Sequence, residues 1–203
     1  LGDVYKRQVH RHLGFDGPVV TDSGGYQILR YGEVEVSPEQ IVSFQDSIGP
    51  DIAVILDVPT GAQDDHGTAE RKVEETVERA RQAVQLRRNP NVAWCAPVQG
   101  GRYLNLVERC ARSLAQLDYQ VYAIGGPVEY FESYKFHQVV DLVMTAKRHL
   151  PLNRPVHLFG AGHPICFSLA VLMGCDLFDS AAYALFAKDD RYLTPTGTVR
   201  LEE

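Results

Sequence analysis

Strand-length apolar runs recur along this chain, and segments of helical period lie between them. That alternation constrains the fold more than any other feature of the sequence. Asp51-Ile52-Ala53-Val54-Ile55-Leu56 is nearly continuous in its apolarity. Such a run suits a strand covered on both faces, as in a parallel sheet. Pro18 to Thr21, Val92 to Val98, Val121 to Ile124, Val156 to Phe159 and Cys175 to Phe178 read as further strands. They are spaced roughly 20–40 residues apart, which predicts parallel βα units.

The intervening segments carry helix signals. Ser37 reads as an N-cap, with Pro38 at the first helical position and Gln40 closing a capping box. Ile41, Phe44 and Ile48 are expected on the apolar face of that helix. Thr68 to Arg88 places Val73, Val77, Ala80 and Val84 at helical spacing and ends at Asn89-Pro90. Its arginines alternate with glutamates, which predicts a solvated face rather than an RNA site. Leu104, Val107, Ala111 and Leu114 mark another helix, Phe136 to Leu150 a further one, and Pro164 to Met173 a short one.

A (β/α)8 barrel and an open doubly wound sheet both fit this pattern. The residues closing each strand favour the barrel, where chemistry gathers at the C-terminal rim. Those ends carry Asp22-Ser23-Gly24-Gly25, Asp57, Gln99-Gly100-Gly101, Gly125-Gly126, Gly160-Ala161-Gly162 and Asp179-Ser180. No G-x-G-x-x-G stands at a strand end, so a dinucleotide site is not indicated. Six units are two short of closure.

Composition removes several function classes. The net charge of −6 argues against a generic nucleic-acid coat. No apolar run reaches membrane-spanning length. Cys95, Cys110, Cys166 and Cys175 are scattered without a C-x-x-C pair, so buried free thiols are expected. Read alone, Asp57-Val58-Pro59 is a strand-ending turn, Asp176 a structural hydrogen-bonder, Tyr26 a core residue and His163 a helix N-terminal residue.

Five motifs in order resemble the tRNA-guanine transglycosylase family. They are Thr-Asp-Ser-Gly-Gly-Tyr-Gln at 21–27, Leu-Asp-Val-Pro-Thr at 56–60, Val-Gln-Gly-Gly at 98–101, Ile-Gly-Gly at 124–126 and Asp-Leu-Phe-Asp-Ser at 176–180. Phe159-Gly160-Ala161-Gly162-His163-Pro164 and the stretch from Phe178 to Leu185 are similar to the archaeosine branch. Pro127-Val128-Glu129 and Tyr183-Ala184-Leu185 depart from the bacterial queuine-pathway pattern.

The resemblance implies an incomplete (β/α)8 barrel holding strands three to eight. It implies exchange of guanine in tRNA for a 7-deazaguanine, most specifically 7-cyano-7-deazaguanine, through a covalent intermediate. Retaining substitution at an anomeric carbon needs two carboxylates in different roles. The matched positions make Asp179 the nucleophile and Asp22 the general acid/base. Asp57, Gln99, Gly125, Gly126 and Ser23 would bind the base, and Tyr26 would stack on it. The implied partners are tRNA and the guanine and 7-deazaguanine bases, with a homodimer as the full-length form, in the cytoplasm and without a membrane. No cofactor is expected in the chain. The family's structural zinc would take ligands beyond Glu203. Alternatives are a non-catalytic RNA-binding paralogue, a bacterial-type queuosine enzyme and a DNA-modifying relative.

Residues 1–8 resemble a translated sequencing adapter and are expected to be a cloning or assembly scar, leaving 9–203 as a partial catalytic barrel domain. A barrel lacking two strands has open edges, so these 203 residues alone are expected to be unstable or to aggregate.

Overall fold

Six parallel strands pair in strict sequence order in the computed structural model, which describes residues 8–25 and 36–202. They are β1 (Val20–Thr21), β2 (Ile52–Val54), β3 (Ala93–Val98), β4 (Val121–Ile124), β5 (Val156–Leu158) and β6 (Leu177–Phe178). A doubly wound sheet reverses its strand order in the middle. Here each crossover advances one strand in the same direction. Right-handed crossovers then place the helices on one face, and the sheet curls into a half-barrel. The expected incomplete (β/α)8 barrel is the architecture found.

The helices are α1 (Gln8–Leu13), α2 (Pro38–Ile48), α3 (His66–Leu86), α4 (Leu104–Leu114), α5 (Val128–Glu132), α6 (Phe136–Lys147), α7 (Pro164–Leu172) and α8 (Ala182–Ala187). Strand alternation divides the apolar side chains between two faces. Trp94, Tyr122, Ile124 and Leu158 point outward to Val73, Val77, Leu106, Leu114, Val139 and Leu142 of the helices. Trp94 is 1% exposed, and burial of side chains this size contributes about 2–3 kcal/mol each, which makes this the main core. Val54, Cys95, Val121 and Ala123 form a smaller cluster on the barrel's inner face. In register, Val54 pairs with Cys95 and Cys95 with Val121; Ala123 pairs with His157 and His157 with Leu177.

Helix starts follow the capping chemistry. Ser37 Oγ accepts from the Gln40 N–H at 3.3 Å, and Gln40 Oε1 accepts from the Ser37 N–H at 2.9 Å, the reciprocal box expected from sequence. α3 begins two residues earlier than expected because Asp65 is its cap, accepting from the Thr68 N–H at 2.7 Å.

The face of α2 differs from expectation. Phe44 is 60% exposed, whereas Val42 and Gln45 turn inward. The Gln45 amide explains this. Its Oε1 accepts from Thr21 Oγ1 at 2.6 Å, and its Nε2 donates to the Val54 carbonyl at 2.8 Å. A polar residue that ties β1 to β2 occupies the position that apolar periodicity assigns to Phe44.

Short elements also escape the periodicity. α1 packs through buried His10, whose Nε2 lies 2.7 Å from Asp51 Oδ2. α5, α8 and an antiparallel hairpin, β7 (Arg191–Thr194) and β8 (Gly197–Arg200), were not evident from apolar spacing. The four cysteines are buried and unbridged, as expected.

Candidate functional site

The residues that close β1 to β4 meet around one polar cluster whose centre is buried. Asp57 lies three residues beyond the end of β2 and is buried. Gln99 follows β3 directly and is buried too. Gln99 Nε2 donates to Asp57 Oδ2 at 2.6 Å, and Gln99 Oε1 accepts from the Thr60 N–H at 3.0 Å. Both ends of the amide are therefore committed, which fixes its orientation. The loop carrying Asp57 is pinned by Thr76 Oγ1, which accepts from the Val58 N–H at 2.9 Å. Thr60 Oγ1 accepts from the Gly100 N–H at 3.1 Å and joins this loop to the turn after β3. Cys110 of α4 accepts from the Gln99 N–H at 3.3 Å.

Two glycines stand against this pair because nothing larger fits. A Cβ at Gly25 would collide with Asp57 Oδ1, and a Cβ at Gly125 would collide with the Gln99 amide. Gly126 follows with φ +81, a conformation that L side chains rarely adopt. Ser23 is buried and donates its hydroxyl to the Ile55 carbonyl at 2.9 Å. Asp22 is exposed at the rim and accepts from the Ser23 N–H at 2.8 Å.

Burial pushes the Asp57 carboxyl up to about 7. The nearby Asp22 carboxylate adds to that rise, and the Gln99 hydrogen bond opposes it. A buried carboxyl near neutrality is poised to ionise when hydrogen-bond donors arrive.

Asp179 sits in a second cluster, built by the ends of β5 and β6. Its side chain is 58% exposed. One oxygen, Oδ1, accepts from His157 Nε2 at 2.9 Å and from the Gly160 N–H at 2.9 Å. Partial desolvation raises this carboxyl, but the His157 and Gly160 hydrogen bonds outweigh it and hold Asp179 below its ordinary value. The Gly160-Ala161-Gly162 turn is shaped for this role. Gly160 has φ +69, and a Cβ at Gly162 would collide with Ser180.

The fold thus brings Asp22, Ser23, Asp57, Gln99 and Gly125 together on one part of the rim and places Asp179 at the ends of the next strands. Tyr26 lies outside the described residues. Thr60 and His157 were not singled out from sequence. Thr60 stands in the quoted Leu-Asp-Val-Pro-Thr motif, and its signal was a hydroxyl just past a strand-ending acid. His157 is a polar residue at an inward position of an apolar strand.

Two of the residues read as structural, Asp176 and His163, behave so. Asp176 Oδ2 accepts from the Val156 N–H at 2.8 Å. His163 caps α7, its Nδ1 accepting from the Ile165 N–H at 3.2 Å, and burial lowers its pKa. Acidic neighbours take up several of the basic residues around α3, including Arg109 against Glu70 at 2.7 Å and Arg79 against Glu75 at 2.5 Å. A groove of about 440 Å3 opens beside Trp94 and Gln120 at the opposite, N-terminal ends of β3 and β4, away from the rim where barrels carry chemistry. Among the described residues no group of three or more His, Cys, Asp or Glu side chains is arranged to hold a metal ion. No helix there is long and apolar enough to cross a membrane.

The chain is similar to archaeal proteins named tRNA-guanine(15) transglycosylase. It is 48% identical to that of Methanocaldococcus jannaschii over 200 residues, which cover 98% of this chain and 30% of the relative. It is 53% identical to that of Methanopyrus kandleri, covering 96% of this chain and 42% of the relative. The protein of Aeropyrum pernix is 51% identical, with 99% of this chain and 39% of the relative covered. The chain therefore spans between 30% and 42% of the length of these relatives. The family model described as Queuine tRNA-ribosyltransferase matches residues 3–203, and the chain belongs to that family.

Proposed function

We propose that the protein carrying this chain exchanges a guanine of tRNA for a 7-deazaguanine base, with 7-cyano-7-deazaguanine as the entering base. The observation that carries this reading is the buried Asp57–Gln99 pair, walled by glycines, on the rim that also carries a second carboxylate, held ionised, at the ends of β5 and β6. A planar base with N–H groups suits such a slot. Ionised Asp57 accepts from those groups, Gln99 is oriented by Thr60, and the backbone at Gly125 and Gly126 comes close because no side chain intervenes. Ser23 adds a hydroxyl and Tyr26 a stacking face. The relatives' name supplies the substrate class and the guanine numbered 15.

In the first half-reaction Asp179 attacks the ribose anomeric carbon. The new oxygen–carbon bond forms as the glycosidic bond breaks, and the base leaves with the bonding pair. Asp22 gives that base a proton and is left as the carboxylate. Guanine then departs, and the entering base yields its ring N–H proton to the Asp22 carboxylate. Its nitrogen attacks the same carbon and expels Asp179. Two inversions give retention, and each proton that Asp22 loses in the first step returns in the second. The target nucleotide must leave its stack to reach this rim. The same reading takes a cytoplasmic homodimer as the working form, on the strength of the family alone.

The test uses the full-length protein with tRNA carrying labelled guanine. Adding 7-cyano-7-deazaguanine is expected to release the label. Retention of all label under conditions where the tRNA is bound overturns the proposal.

A further inference from the structure

His157 is a buried histidine that the exchange steps above leave without a task. It lies on β5, on the inner face of the half-barrel, between Ala123 of β4 and Leu177 of β6 in register. Ala123 is small and leaves room for an imidazole on that side. Phe159 meets the ring edge-on, with centroids 4.7 Å apart. Asp179 is two residues beyond Leu177, hence on the same side of the pleat and one layer nearer the rim. His157 therefore reaches up the barrel wall to it. An ionised carboxylate only accepts, so Nε2 carries the proton of this hydrogen bond.

Both observed hydrogen bonds to Asp179 fall on the same oxygen. His157 Nε2 and the Gly160 N–H each lie 2.9 Å from Oδ1. We infer that His157 is a positioning residue for the exchange reaction, and that with the Gly160 amide it anchors Oδ1 so that Oδ2 is the oxygen that bonds to ribose. This inference rests on the assignment of Asp179 as nucleophile. Two donors on one oxygen fix the carboxylate plane and aim the other oxygen's lone pairs away from the wall. His157 transfers no proton. The new bond forms between Oδ2 and the anomeric carbon while Oδ1 becomes the ester carbonyl and keeps its donors. When the entering base displaces the ester, charge returns to the carboxylate and the His157 bond strengthens again, which stabilises the departing group. The base slot belongs to β1–β4, so His157 acts on the chemical step and not on base binding.

The experiment measures kcat and base KM for the full-length protein in wild-type, Asp179→Asn, His157→Phe, His157→Gln and His157→Asn forms, with protein–tRNA adduct captured under denaturing conditions. His157→Phe is expected to lower kcat about 10–100-fold and slow adduct formation, with base KM unchanged. Gln presents a donor at the reach of Nε2 and is expected to restore the rate to within a few-fold; the shorter Asn is not. A His157→Phe protein with wild-type kcat overturns the inference, as does a defect carried only by a rise in base KM. If the Phe protein does not fold, the Gln and Asn pair decides, and equal rates for the two overturn it. The proposed function fails separately, when wild-type protein exchanges no base or Asp179→Asn still forms adduct.

Discussion

Asp57 and Asp179 are the same residue type at the same rim, yet the protein treats them in opposite ways. Asp57 is buried, shares its proton-accepting capacity with Gln99, and sits near neutrality at about 7. Asp179 is exposed and held below its ordinary value by His157 and the Gly160 amide. The contrast teaches that burial and donor count set the charge state of a carboxylate. Under the proposed exchange, the poorly solvated Asp57 awaits the N–H donors of the base, and the donor-rich Asp179 stays ionised and keeps an oxygen for attack.

The strongest way to break the comparison is Asp179→Asn. An amide nitrogen cannot replace the attacking oxygen, so exchange is expected to fall by about 10³-fold or more with no adduct formed. Turnover and denaturing-gel adduct assays on the full-length protein measure both. A variant that still accumulates adduct moves the nucleophile elsewhere.

Asp57→Asn separates binding from stability. The folded carboxyl titrates near 7, above its ordinary value of 3.8, so between those pH values the folded state holds more protons than the unfolded one. Stability therefore falls as pH rises through that window, and the cost is fully present above 7. Asn never ionises and lacks that cost. The variant is expected to melt higher than wild type at pH 8, by an amount of order a few kcal/mol, and to gain nothing at pH 4. Its base KM is expected to rise about 100-fold, because the accepting charge is gone. For wild type, base affinity should strengthen as pH rises through about 7. Pairs of melting curves and KM values at the two pH values check this, and an Asn protein that binds base normally removes Asp57 from recognition.

Gly125→Ala tests the wall of the slot. Its Cβ would meet the Gln99 amide, which must turn away and give up Asp57 or Thr60. Base KM is expected to rise about 10-fold, with kcat less affected, since a lost buried hydrogen bond is worth roughly 1–2 kcal/mol.

The sequence made the scaffold legible because buried strands are nearly continuous in apolarity, and Ile52–Val54 and Val121–Ile124 fall inside the expected runs. The glycine pairs and rim acids were legible because turns after strands demand particular residues. What escaped was polar and inward. Gln45 displaces Phe44 from the face of α2, Thr60 clamps two loops, and His157 hides in the strand Val-His-Leu. A hydrophobic period cannot register a residue whose burial is bought with hydrogen bonds. The partner that satisfies each of them lies on another strand or loop, and only the assembled sheet brings it near.

Ser23→Ala gives the smallest and sharpest effect, because Ser23 stands on the Asp57 side of the comparison with one task visible and another proposed. Its hydroxyl donates to the Ile55 carbonyl at 2.9 Å and ties the end of β1 to the loop after β2. Removing it leaves a buried carbonyl without that donor, so a loss of about 1 kcal/mol is expected in thermal melts. The oxygen's lone pairs remain free to accept from a base N–H, so base KM is expected to rise about 3-fold as well. A melt that shifts with KM unchanged confines Ser23 to holding β1 against β2. A KM that shifts with an unchanged melt makes the Ile55 bond incidental and places the hydroxyl with Asp57 and Gln99 in the slot.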